Sequence, residues 1–327
     1  MTIQSADIFN ISTDEQFRHL AIDIFHYQYL NNNLYRQWVD GLNINYKEVT
    51  EIYQIPFLPI QFFKSHSIVS GNEKIQKIFQ SSGTTESIPS LHHVSDISLY
   101  EQSFNLNFKL TFGIPEQYHI LALLPSYLER EGSSLVYMME HLIKKTNDEH
   151  SGFYLHDFGE LNHKLHLLKD SPRKTMLWGV SYALLDFCEQ FPSSLPKLML
   201  IETGGMKGKR KELIRQQLHH ELCNGFGLEN ISSEYGMTEL LSQAYSYGKG
   251  LFRTPPWMKV MIRDVYDPFS YCKNGRNGAI NIIDLANLNS CSFIMTDDIG
   301  IMHENEAFEV LGRIDNSDIR GCNLLYS

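Results

Sequence analysis

The sequence predicts an α/β fold, with parallel sheets flanked by helices and a smaller β-rich subdomain. Three observations lead there. Apolar strand-like runs alternate with helix-spaced segments between Pro115 and Tyr235, the β-α-β-α order of a mostly parallel sheet. After Gly250 the texture changes to short extended runs separated by turn-rich pieces such as Lys273-Asn274-Gly275-Arg276-Asn277-Gly278. The 327 residues, 43% apolar and 20% charged, suffice for one large or two ordinary domains with real cores.

Taken in order, Ser12-Thr13-Asp14-Glu15 reads as a helix start. Phe17, Leu20, Ala21, Ile24 and Phe25 follow at helical spacing, in a helix expected to end before Gly41. Pro56 and Pro59, with Phe57, Phe62 and Phe63, make 54–65 an extended buried connection. Residues 77–80 and 91–95 read as a strand and its return, and Asp96 as the cap of a helix over 97–112. Strands are then expected at 119–124, 152–156, 175–179 and 197–202, and helices at 133–145, 161–168, 182–190 and 209–222. Asn224-Gly225 stops the last of these helices, and a short strand leads to Tyr235. The later extended runs are 259–263, 279–284, 292–296 and 308–311.

Composition excludes several functions. A net charge of −10 argues against a nucleic-acid or anionic-membrane surface. No run is long and apolar enough to span a bilayer, and the N-terminus lacks the basic-then-apolar order of a secretory signal. Cys188, Cys223, Cys272, Cys291 and Cys322 are odd in number and widely spaced, which fits neither a zinc module nor a disulfide framework. A cytoplasmic location is the expectation. The adjacent pairs His92-His93 and His219-His220 are expected to be ordinary core or surface histidines.

Chemistry concentrates in five pieces. Ile231-Ser232-Ser233-Glu234-Tyr235-Gly236-Met237-Thr238-Glu239-Leu240 begins as a strand and ends with two oxygen-bearing side chains after a glycine. Thr238 can donate to a phosphate oxygen, and Glu239 can ligate a hard cation that phosphate also binds. Tyr235 offers a flat face for a base, and Gly236 allows close approach to the backbone. The plain alternative is the start of a helix. Ser81-Ser82-Gly83-Thr84-Thr85 brings four hydroxyls and a glycine after a strand, a loop able to wrap phosphate oxygens, or else a polar hairpin turn. Thr203-Gly204-Gly205 closes an apolar strand at the edge where parallel sheets bind ligands, or is merely a turn. Thr296-Asp297-Asp298 places a carboxylate where ribose hydroxyls are commonly held, or forms a surface turn. Gly312-Arg313-Ile314-Asp315 lies near the end of the sequence.

Together these pieces resemble the acyl-adenylate-forming superfamily of acyl-CoA ligases, luciferase and peptide-synthetase adenylation domains. The resemblance implies that family's large N-terminal domain over 1–311, with its β-rich part at about 250–311, then a hinge-like segment and tail over 312–327. It makes Ser81, Ser82, Gly83, Thr84 and Thr85 the phosphate loop, and Gly204, Gly205 and Met206 the adenine-side segment. Tyr235, Gly236, Met237 and Thr238 would also bind ATP, and Glu239 would hold Mg²⁺. Asp298 would bind ribose, with Arg313 near the ribose or phosphate. Within the superfamily, Leu123-Leu124-Pro125-Ser126-Tyr127-Leu128-Glu129-Arg130-Glu131-Gly132-Ser133-Ser134-Leu135-Val136-Tyr137-Met138, Ser233-Glu234-Tyr235-Gly236-Met237-Thr238-Glu239-Leu240-Leu241-Ser242-Gln243-Ala244-Tyr245 and Ile319-Arg320-Gly321-Cys322 look like the LuxE-type acyl-protein synthetases. That branch implies transfer of a fatty acyl group to a cysteine, here Cys322, and on to a partner such as an acyl-CoA reductase or acyl carrier protein. Arg320 would help lower the thiol pKa.

The sequence departs from the pattern in places. Glu86 stands where the phosphate loop usually has glycine, no lysine follows Pro89, and Asp297 replaces a glycine or basic residue. The sequence ends at Ser327, so the small domain that carries a catalytic lysine in typical ligases is expected to be lacking. Two other readings remain open at this level: an acyl-CoA ligase of the phenylacetate type, and a non-catalytic nucleotide-binding partner protein. Tyr127, Tyr137, Met138 and Met237 are candidate walls of an acyl pocket or simply core.

Overall fold

The computed structural model of the chain describes residues 3–81, 88–125, 132–155, 157–206 and 209–314. Its helices are α1 (Ser5–Phe9), α2 (Asp14–Asn31), α3 (Asn33–Gly41), α4 (Phe62–Ser65), α5 (Ile97–Phe112), α6 (Ser134–Thr146), α7 (Phe158–Leu168), α8 (Ser181–Gln190) and α9 (Arg215–Phe226). Its strands are β1 (Leu58–Pro59), β2 (Lys77–Gln80), β3 (Leu91–Val94), β4 (Tyr118–Leu123), β5 (Gly152–Tyr154), β6 (Lys174–Val180) and β7 (Met199–Thr203). They continue as β8 (Ser232–Tyr235), β9 (Ala244–Ser246), β10 (Phe252–Arg253), β11 (Met258–Arg263), β12 (Asn277–Asp284), β13 (Phe293–Met302) and β14 (Phe308–Arg313).

Caps set several helix starts. The Thr13 hydroxyl accepts from the Gln16 N–H, and the Gln16 side chain accepts from the Thr13 N–H, a reciprocal box at the start of α2. Asp96 and Ser133 accept in the same way at α5 and α6. The single helix expected to run on toward Gly41 is two. Asn32 adopts extended backbone, accepts from the Tyr35 N–H and starts α3. The connection read as extended over 54–65 also holds the helical turn α4 beside β1.

The helix expected at 209–222 begins later and ends later. Gly225 lies inside α9, and the left-handed cap is Gly227, with φ +67°. Gly225 serves packing instead: a Cβ there would meet Cys188 Sγ of α8 at 2.6 Å. Stacked Phe187 and Phe226 rings, 5.6 Å apart, complete that helix contact.

One twelve-stranded sheet holds most of the molecule, in the order β11-β12-β13-β14-β10-β9-β8-β7-β6-β4-β5, with β1 alongside β13. Strands β4 to β8 pair in parallel. The β-rich part continues this sheet edge to edge through β9, β10 and β14. Helix α5 covers one face, with Phe112 set edge-on to Trp178 and Tyr245. Helices α8 and α9 reach the other, where His219 meets Ser233. The N-terminal helices close on the β-rich part. Buried Gln28 donates to the carbonyls of Asn287 and Leu288 at 3.0 and 2.9 Å, and accepts from the Ser292 N–H at 2.9 Å. Separately, β2 and β3 pair as a two-stranded antiparallel sheet.

Candidate functional site

The stretch after β8 forms no helix. Tyr235 ends the strand, and residues 238–239 turn. Gly236 is exposed, and a Cβ there would fall 2.3 Å from Glu234 Oε1. Below the turn, Asp284 accepts from the N–H groups of Leu241 and Ser242 at 2.8 and 2.9 Å and from the Ser242 hydroxyl at 2.6 Å. Asn287 donates to the Glu239 carbonyl at 2.8 Å. These bonds anchor the turn to β12 and the segment after it.

Asp298 lies within β13 rather than at a strand end, opposite Arg313 of β14. It is buried, and the Tyr235 hydroxyl donates to it at 2.7 Å while Arg313 Nε donates at 3.0 Å. Burial and the neighbouring carboxylate push the Tyr235 phenol well above its ordinary value, so it stays a donor. The ring of Tyr235 packs against Phe252 and Phe308 at 5.9 and 5.7 Å. Asp297 accepts a paired bond from Gln61 at 2.6 and 2.8 Å.

Glu239 is buried, and its carboxyl is raised chiefly by burial, with Asp298 adding to the effect. A hydrogen bond from the Ser90 hydroxyl and the charge of Arg313 oppose the rise. A buried carboxylate with few partners gains from a cation beside it. Mg²⁺ is typically held by one or two carboxylates plus phosphate and water oxygens, so Glu239 fits that role. No group of three or more His, Cys, Asp or Glu side chains able to hold a metal occurs among the described residues.

The β2–β3 pair meets this turn. Ser81 and Ser90 exchange bonds: the Ser81 N–H donates to the Ser90 carbonyl at 3.0 Å, and the Ser90 N–H to the Ser81 hydroxyl at 2.8 Å. One pleat further on, His92 Nδ1 lies 2.8 Å from the Thr238 carbonyl. Burial pushes His92 down to about 4, so the ring is neutral and Nδ1 carries the donated proton. Ser82, Gly83, Thr84, Thr85 and Glu86 lie outside the described residues, as do Asp315, Arg320 and Cys322.

The third piece lies one strand over. Thr203 pairs with Glu234 across β7 and β8, Gly204 turns with φ +69°, Gly204 and Gly205 are exposed, and Met206 is buried. A layer of charge lies behind. Burial opposes ionisation of Glu202, yet His219, Arg215 and Ser233 outweigh it and hold the carboxyl below its ordinary range. Arg215 reaches it at 2.8 Å and the Ser181 hydroxyl at 3.0 Å. Glu234 behaves oppositely: burial pushes it up to about 7, with Glu202 adding repulsion and the Thr203 hydroxyl donating to it.

The structure therefore joins Tyr235, Asp298 and Arg313 by direct bonds, and sets Glu239 within electrostatic reach of the last two. Sequence reasoning missed Ser90, His92, Glu234 and Asp284. The pleat of β3 held the signal for the first two, since Ser90, His92 and Val94 alternate onto the buried face.

Residues 176–327 match the family model for the acyl-protein synthetase LuxE. The chain is 23% identical over 330 positions to the long-chain-fatty-acid–luciferin-component ligase of Vibrio harveyi, spanning 93% of this chain and 85% of that protein. The Aliivibrio fischeri protein of the same name is 21% identical, over 93% and 86%. In fold, the chain is similar to a 2-hydroxyisobutyryl-CoA ligase solved with its adenylate, with a TM-score of 0.71, 11% identity, and 95% and 70% of the two chains covered. It is also similar to ATP-bound MatB from Rhodopseudomonas palustris, with a TM-score of 0.56 and 16% identity over 74% of this chain. The match spans about half (49%) of MatB's length. Family model, curated relatives and fold agree with the resemblance read from the motifs: the chain is similar to the LuxE acyl-protein synthetases and shares the fold of the acyl-adenylate-forming enzymes.

Proposed function

We propose that the chain activates a fatty acid with ATP as acyl-AMP, and then transfers the acyl group to Cys322 and on to a partner protein. One observation carries the reading. The β2–β3 pair bonds to the Thr238-Glu239 turn, beside the Asp298 carboxylate on which Tyr235 and Arg313 converge. Pieces scattered across more than 200 residues of sequence line one region at the carboxyl ends of β7 and β8, where α/β sheets bind ligands.

A carboxylate is a poor electrophile, and joining it to AMP supplies a leaving group. A bond forms from the acid's oxygen to the α-phosphorus, the bond from that phosphorus to the bridging oxygen breaks, and pyrophosphate departs. The work of the protein is positioning and charge neutralisation. The Thr238 hydroxyl and the hydroxyls of 81–85 donate to phosphate oxygens. Asp298 accepts from the ribose, and Arg313 offsets negative charge beside it. Glu239 would hold Mg²⁺, which when bound neutralises phosphate charge. The Cys322 thiolate then attacks the acyl carbonyl and AMP leaves. An acyl-CoA reductase or an acyl carrier protein is the partner we infer as acceptor.

The test is ATP–pyrophosphate exchange over a panel of carboxylic acids, with a search for a hydroxylamine-labile acyl adduct. Acid-dependent exchange is expected, with the adduct lost and exchange retained in Cys322→Ser. An undiminished adduct in that variant overturns the thiol assignment. CoA-thioester formation independent of Cys322 would indicate a phenylacetate-type ligase. Tight ATP binding without exchange for any acid would indicate a non-catalytic partner protein.

A further inference from the structure

Between the sheet and helix α5 lies a set of buried polar groups that the adenylation chemistry does not use. Val180, Thr203, Glu234 and Tyr245 occupy one registered row across β6, β7, β8 and β9, so their side chains share a face. Helix α5 covers that face: Asn107 donates to the Gln243 carbonyl at 2.7 Å, and Phe112 packs on Trp178 and Tyr245. Tyr245, Gln243 and Trp178 are 3%, 5% and 0% exposed. Even so, the Tyr245 hydroxyl, Gln243 Oε1 and the Trp178 indole N–H find no hydrogen-bond partner among the described residues. The Trp178 and Tyr245 rings are 5.8 Å apart. The row also reaches the candidate site. Glu234 Oε1 and Gln243 Cγ are the atoms a side chain at exposed Gly236 would strike, at 2.3 and 3.3 Å.

Buried polar atoms in native proteins are paired as a rule, so three orphans in one layer call for a partner that the described residues do not supply. Their chemistry describes it. The Gln243 oxygen and the Glu234 carboxyl accept, the indole N–H donates, and the phenol does both. A hydroxyl, with one donor and two acceptor positions, complements this set, whereas a methylene chain leaves the three orphans unpaired.

We propose that the acid activated here carries a hydroxyl group along its chain, and that Glu234, Gln243 and Tyr245 hold it between the sheet and α5. The substrate class is then a hydroxy fatty acid. The proposal rests on the acid-activating reading above and deepens it. It also gives Gly236 a second role, because a side chain there would strike both Glu234 Oε1 and Gln243 Cγ, at 2.3 and 3.3 Å.

The full chain is assayed by ATP–pyrophosphate exchange with pairs of acids equal in carbon count, one unsubstituted and one bearing a single hydroxyl, scanned along the chain. A hydrogen-bonding site discriminates strongly against an analogue that leaves its buried groups unpaired, so at least one hydroxy acid should exceed its partner by about tenfold or more in kcat/KM. Tyr245→Phe removes a hydroxyl with no partner among the described residues and keeps the ring packing, and it should cut that ratio severalfold. Equal or better use of every unsubstituted acid overturns the proposal, because ordered water then suffices as the partner. A hydroxyl preference that survives both Tyr245→Phe and Glu234→Gln overturns it as well. If no acid supports exchange, the activating reading fails, and calorimetric titration with the same pairs decides the pocket. Tighter binding of the hydroxy acid, lost in Tyr245→Phe, sustains the proposal; equal binding of both acids sinks it.

Discussion

His92 is a strut between the β2–β3 pair and the Thr238-Glu239 turn, and its two contributions can be separated. The ring is fully buried and pushed down to about 4, against 6.5 in an open chain. An unfolded chain therefore binds the proton that the folded protein refuses. The stabilising term is complete above 6.5 and is lost as pH falls toward 4. A drop of that size corresponds to about 3 kcal/mol in full, of which about 2 kcal/mol disappears between about pH 7.5 and pH 5. Glu234 works in the opposite sense: with its carboxyl raised to about 7, its term is present at low pH and lost as pH rises through that value. This term is common to wild type and His92 variants, so it cancels in their difference. His92→Asn sets an amide N–H near the position of Nδ1 and does not titrate. It should keep the bond to the Thr238 carbonyl and the exchange rate while losing the acid-side slope in urea unfolding. His92→Leu should lose both the slope and the bond, leaving a buried carbonyl unpaired at a cost of about 1–3 kcal/mol, and exchange should fall. A wild-type slope that persists in His92→Asn, or full exchange in His92→Leu, would refute the strut.

Three further outcomes are expected. Tyr235→Phe removes the donor to buried Asp298, and urea unfolding should register a loss of about 1.5–3 kcal/mol, since the bond runs to a charged group. Gly236→Ala puts a Cβ 2.3 Å from Glu234 Oε1; thermal unfolding should show a loss of about 1–3 kcal/mol from overpacking, with exchange reduced further by the blocked approach. Glu239→Gln keeps the shape and the Ser90 contact but removes the charge, and exchange should fall on the order of a hundredfold, as when one stabilising group is lost from a preorganised site. Metal titration of that variant should show weakened Mg²⁺ dependence, with the unfolding midpoint close to wild type.

Much of the chain was legible because local rules and the fold agree. Asp96 and Ser133 announce their helices, and the apolar run at 119–124 can only be comfortable between two covered faces. The errors arose where tertiary contact overrode a local sign. Gly225 looks like a stop signal and is instead the space that Cys188 needs. Asn32 breaks a good helical pattern because its side chain can cap the next helix and donate to Ser70 and to the Ser290 carbonyl, across the fold. The site divides in the same way. Tyr235, Gly236, Thr238 and Glu239 are contiguous and could be noticed as a pattern. The bond from Tyr235 to Asp298 spans 63 positions and exists only through the order of strands in the sheet. Similarly, nothing near Gln28 in sequence indicates partners at Asn287, Leu288 and Ser292.

The narrowest part of the great sheet lies close to the candidate site. Strand β10 contributes two residues and meets β14 at the pair Phe252–Phe308, whose rings sit 5.5 Å apart with the Arg215 guanidinium over Phe252 at 4.8 Å. Tyr235 stands on one bank of this seam and Asp298 on the other, and their hydrogen bond is a rope across it. A ligand that takes up the acceptor sites of Asp298 competes with the phenol and slackens that rope. The Asp298 carboxylate is thus at once a candidate acceptor for a ligand and the tie between the two banks.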